Sequence, residues 1–196
     1  MTSGYELSTA ITNLFLFITS IFIFINIKNN KRWNFFYLFL ILDSFMGIIV
    51  HGINMSNNIN NILWVILYIL FSITFNLLLY IFCNVKLKNV FILSIFIFII
   101  MFIIFSISIK YNIKNLDNIT ILLYALLLVL ISLYNIIKSN YIYKYFYIIG
   151  IIIQIIGIIP IFIKLNIGYF NYNGICHIFS NITIILLYLG IKKENI

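Results

Sequence analysis

Charge is scarce in this chain. Of its 196 residues, 8% are Asp, Glu, Lys or Arg, and four are acidic. A soluble domain carries roughly 25% charged residues. Water cannot solvate so apolar a surface, which excludes a soluble globular protein and points to an integral membrane protein. Cysteine is nearly absent: Cys83 and Cys176 lie in no C-x-x-C. There is no disulfide framework, and both read as small apolar membrane residues. One proline, Pro160, and a few glycines interrupt the apolar runs, and no internal repeat is visible. A transporter built from matching halves with broken helices lacks its signature here. Also missing are a lysine inside the seventh run, an acidic-Arg-Tyr triplet ending the third, G-x-S-x-G, a phosphate loop and H-E-x-x-H. These absences argue against a retinal Schiff base, an ordinary G-protein-coupled receptor and the common hydrolase and nucleotide-binding classes.

What is present is hydrocarbon. The chain is 64% hydrophobic, with a mean hydropathy of +1.18. Seven apolar runs reach the roughly 20 residues that a spanning helix needs. They fall at about 9–27, 33–55, 61–84, 89–109, 118–137, 142–164 and 174–191, separated by short polar gaps such as "KNNKRW" and "SNNINN". Barrel strands would need alternating polarity, which is absent. The first run has no basic segment before it and no small-residue cleavage site after it, so it reads as a spanning helix. The predicted fold is all-α: one seven-helix transmembrane domain over residues 1–196.

The net charge of +8 sits in the gaps, with no basic patch interleaved with aromatics in any soluble segment, so no nucleic-acid partner is expected. The basic residues set orientation instead. Lys28, Lys31, Arg32, Lys86, Lys88, Lys138, Lys144, Lys192 and Lys193 lie at one end of the bundle, and Lys110, Lys114 and Lys164 at the other. Nine against three predicts a cytoplasmic C-terminus and an N-terminus outside or in a lumen.

Polar residues inside spans are costly and are functional candidates by default. His51 near the outer end of helix 2 and His177 near the outer end of helix 7 share one leaflet. The opening "YELSTAITN" adds Glu6, Thr9, Thr12 and Asn13 at a similar height. Asn173, His177 and Asn181, with Ser180 alongside, predict a polar stripe on helix 7. Ser44, Gly47, His51 and Asn54 predict another on helix 2. Turned inward, the stripes form an outward-opening pocket between helices 1, 2 and 7, with Glu6, Thr9, Thr12, Asn54 and Asn173 as candidate ligand contacts. Deeper, Asp43, Asn76 and Gln154 fall at one depth. They form a buried polar layer suited to interhelical hydrogen bonding or to an ion or proton relay. His51 and His177 suit zinc, with Glu6 the nearest carboxylate, but they also suit plain hydrogen bonds between helices.

The stretches "ELSTAITN", "VHGI" and "FNYNGICH" resemble small bacterial relatives of the membrane superfamily of alkaline ceramidases, progestin/adiponectin-type receptors and haemolysin III-like proteins. The resemblance implies a seven-helix fold with the N-terminus outside. In that superfamily one histidine of helix 2 and two of helix 7 hold zinc, assisted by a serine and an aspartate. His51 and His177 match two of the ligands. Asn173 stands at the third, Gly47 at the serine, and the start of helix 3 has no aspartate. Two functions stay open: a non-catalytic relative binding a membrane lipid or small ligand, and a zinc-dependent hydrolase of a lipid amide.

Overall fold

The structure is a computed structural model that describes residues 6–27, 30–111 and 116–194. Lys28 and Lys114, which entered the charge comparison, lie outside the described residues. Seven helices follow in order: α1 (Leu7–Asn26), α2 (Lys31–Gly52), α3 (Asn57–Phe82), α4 (Leu87–Tyr111), α5 (Leu116–Lys138), α6 (Lys144–Ile163) and α7 (Tyr172–Glu194). The described residues hold no strand, only a single bridge between Ile167 and Phe170 in the α6–α7 connection. Six helices are long and apolar enough to cross a membrane, and α5 contributes the apolar stretch Leu122–Lys138 among the described residues. The chain is therefore a multi-pass helical membrane protein.

Most helices begin two to four residues before the apolar runs, because Asn and Lys at a membrane surface extend a helix at little cost while their polar ends stay wet. Helix α6 lies inside its run, and α2 ends three residues short of its own. It stops at Gly52, and Ile53 is extended at φ −118°, ψ 129°. Asn54 was expected on the helix 2 stripe but lies in the connection to α3. At the opposite end Asn30 caps α2 by accepting from the Trp33 amide at 3.4 Å, satisfying one of the free amides of a helix start. Pro160 lies in the last turn of α6, which ends on Lys164 in the left-handed region at φ 51°.

The packing order is a closed ring. Helix α1 packs on α2 and α7, α2 on α3, α3 on α5, α5 on α6 and α6 on α7. Helix α4 stands outside the ring against α3 and α5. Large apolar side chains such as Phe15, Phe22, Ile95 and Phe96 face outward, as a lipid-facing surface requires. Close approach of α6 to α7 needs Gly157, where an added Cβ would stand 2.4 Å from the Phe179 Cβ. Small residues at such crossings let helix backbones pack where lipid gives no hydrophobic drive.

The two ends of the ring differ. At the end bearing Arg32 the interior is solid with aromatics. Trp33 stacks on Tyr147 with ring centroids 5.8 Å apart and meets Phe82 edge-on at 5.6 Å. The fully buried Tyr37 donates its hydroxyl to the Ile184 carbonyl at 2.8 Å. Toward the end bearing Glu6 the packing opens into a cavity.

Candidate functional site

The cavity has a volume of about 240 Å³ and is bordered by every helix of the ring. Glu6, His51, Asn54, Asn60 and Asn173 line its mouth, and Phe36, Leu40, Leu78 and Leu187 its floor. Most of its polar lining lies at the mouth, where the helix ends carry the Asn, Glu and His residues, while the interior is largely Leu, Ile and Phe with Asp43 and Gln154 among them.

Glu6 organises the mouth. It precedes the first residue of α1, so its carbonyl accepts from the Ala10 amide at 3.0 Å while its side chain stays free to turn inward. Its own amide donates to the His51 carbonyl at 2.9 Å, tying the start of α1 to the end of α2. Its Oε2 accepts from Thr9 Oγ1 at 2.9 Å and Asn173 Nδ2 at 3.1 Å, and lies 3.3 Å from His51 Nδ1. Burial alone would raise the Glu6 carboxyl. The hydrogen bonds from His51, Asn173 and Thr9, with the charge of His51, outweigh it and hold the carboxyl at about 2. The other side of His51 is fixed by Trp64, whose ring meets the imidazole edge-on at 5.3 Å.

His177 is held separately. Asn13 reaches across from α1 and places Nδ2 3.3 Å from His177 Nε2. With the amide donating, Nε2 is the acceptor of a neutral imidazole. Asn13 passes over Gly47 of α2, where an added Cβ would lie 2.8 Å from the Asn13 amide carbon. Gly47 therefore makes room for a contact between α1 and α7, and a serine there would displace it.

Of the expected contacts, Glu6, His51, Asn54, Asn173 and His177 border the cavity, with Ser180 also on its wall. Thr9 and Thr12 do not. The Thr9 hydroxyl lies between Glu6 Oε2 and Asn171 Oδ1, at 2.9 and 2.8 Å. Thr12 donates back to the Ser8 and Thr9 carbonyls at 3.1 and 3.0 Å. A threonine in an apolar helix satisfies its hydroxyl on the preceding turn. Asn181, eight residues past Asn173 and so about 80° round the helix, donates to the His177 carbonyl at 3.0 Å and reaches the Thr12 carbonyl of α1 at 3.5 Å.

The deeper polar layer divides. Asn76 is fully buried, donates to Ser94 of α4 at 2.8 Å and accepts from Tyr124 of α5. It joins the outer helix to the ring and does not border the cavity. Asp43 and Gln154 do. Asn171, which sequence reasoning passed over, caps α7 by accepting from the Gly174 amide at 2.8 Å and accepts from Ser8 at 3.3 Å. Its position three residues before a glycine at a helix start was the available signal.

A zinc ion does not fit these residues. Glu6 Oε2 and His51 Nδ1 face each other, His177 Nε2 faces Asn13, and Asn173 donates to Glu6. Among the described residues no three His, Cys, Asp or Glu side chains are grouped to hold a metal ion, and a catalytic zinc usually takes three protein ligands.

No curated protein and no solved structure matches the chain. Residues 8–195 match a family whose description is "Family of unknown function (DUF6962)". With nearly its whole length matched, the chain belongs to this family of unknown function.

Proposed function

We propose that this protein is a non-catalytic membrane receptor or carrier of a lipid or small amphiphile, which enters the cavity from the Glu6 end. The observation that carries this reading is the cavity itself: a polar mouth leading to an apolar floor, enclosed by the six ring helices. A ligand with a polar group and a hydrocarbon or aryl body suits such a lining, since pockets of this kind orient ligands with a few polar contacts over apolar walls. The unequal distribution of Lys and Arg supports an outward-facing mouth and a cytoplasmic C-terminus. His51 and His177, the two positions that match ligands in the ceramidase-like superfamily, both border the cavity. This supports descent from a ceramidase-like ancestor. The commitment of Glu6 to His51 favours binding over a zinc-dependent amide hydrolase.

Native mass spectrometry of protein released from mild detergent tests the proposal. Ala125 of α5 is buried and borders the cavity, so Ala125→Phe fills it. The wild type is expected to carry a co-purifying adduct that this variant lacks. Equal adducts in both proteins, or none in either, would overturn the reading. Stoichiometric zinc that falls in His51→Ala would replace it with the hydrolase.

A further inference from the structure

Asp43 is the acid deepest in the bundle, and no contact described above accounts for it. It lies twelve residues after Lys31 and nine before Gly52 on α2. At 1.5 Å per residue this is about 18 Å and about 14 Å from the two helix ends, near the middle of a membrane span. Its Oδ1 is buried and has no hydrogen-bond partner among the described residues. The ion pair found among those residues joins Glu6 to His51 and leaves Asp43 out. An unpaired carboxyl oxygen in such a place is costly, and intramembrane acids of this kind face cavities or pathways. Asp43 does face the cavity.

The surroundings define what would satisfy it. Gln154 of α6 borders the same cavity, and Asn60 Oδ1 at the mouth is a second buried acceptor without a described partner. The serine and threonine hydroxyls on the walls are committed to backbone: Thr74 to Leu70 at 2.9 Å, Thr183 to Gly150 at 3.0 Å and Ser180 to Cys176 at 3.1 Å. A bare metal cation wants about six oxygen ligands, and this wall does not present them. The remaining wall is apolar and aromatic, with Phe71 and Phe75 of α3, Val129 of α5 and Ile158 of α6. Cavities of roughly 150 Å³ admit benzene, so 240 Å³ holds one ring with a short chain. Orphaned acceptors call for a donor. A carboxylate in a low-dielectric site takes a cationic donor best, and aromatic faces add attraction for the same charge.

We propose that the cavity binds an organic ammonium ion with an apolar body, its ammonium group against Asp43 and its body against the aromatic wall of α3. This rests on the reading of the cavity as a ligand pocket and names the class of ligand.

The test compares 4-phenylbutylamine with 4-phenylbutan-1-ol, its neutral counterpart of nearly equal size, by thermal shift of the full chain in mild detergent. The amine is expected to raise the Tm saturably and to bind at least tenfold more tightly than the alcohol. In Asp43→Asn that preference is expected to vanish. The wild-type comparison stands even if the variant does not fold. Equal binding of amine and alcohol would overturn this inference while leaving a ligand pocket in place. Binding of neither would overturn both. An amine preference that survives in Asp43→Asn would overturn the role of Asp43.

Discussion

Replacing Glu6 with Gln removes a charge while keeping the shape of the side chain. The carboxyl is held at about 2 against an ordinary 4.5. At about 1.4 kcal/mol per pKa unit, the full value is about 3 kcal/mol. The group sits at the cavity mouth with 17% of its side chain accessible, and solvent screening there reduces the figure to about 2 kcal/mol. For a chain of this length that corresponds to a Tm shift of about 5 °C. The sign follows from the depressed value. Below both pKa values the acid is neutral folded and unfolded alike and contributes nothing. Above 4.5 the contribution is complete, and it is lost as the pH falls from 4.5 toward 2. Thermal melts of wild type and Glu6→Gln in mild detergent at pH 7, 5, 4 and 3 measure this. The expected gap is about 5 °C at pH 7, narrowing between pH 5 and 3 as the wild type gives up its advantage. Groups that do not touch Glu6 are common to both proteins and cancel, so the narrowing reports Glu6 together with its partner His51. An unchanging gap across that range, or no gap at pH 7, would refute the assignment of Glu6 as an ionised hub for His51, Asn173 and Thr9.

Two further substitutions probe the elements that place the cavity. Gly47→Val drives side-chain atoms into Asn13 and should cost about 1–3 kcal/mol by overpacking; combining it with Asn13→Ala should recover much of that loss, read as coupling in a double-mutant cycle of melting temperatures. Asn76→Leu strips Ser94 and Tyr124 of their buried partner and should cost about 1–3 kcal/mol. It should leave amine binding unchanged, since Asn76 does not border the cavity.

The spans were legible because lipid demands long apolar helices, and a 20-residue run of Ile and Phe has few other fates. Glu6, His51, Asn173 and His177 could be placed at one end for the same reason: depth follows from counting residues along a helix. Rotation was harder. Thr12 and Asn181 sit at the right height, yet their side chains turn to nearby backbone carbonyls, a local option that periodicity does not exclude. Asn76 shares the depth of Asp43 but faces α4 and α5, because α4 lies outside the ring, and depth alone does not tell which neighbour a helix meets. The Asn13–His177 contact depends on Gly47 being a glycine, a three-helix coincidence with no one-dimensional trace.

The most direct test of the central claim is a crystal structure grown from a lipidic mesophase with 4-phenylbutylamine present. The account predicts continuous density inside the ring, running from the level of Asn173 and His51 down to a terminus within hydrogen-bonding distance of Asp43. A cavity closed by repacked side chains, with the Asp43 carboxyl bonded to Gln154 and no ligand density between them, would contradict it.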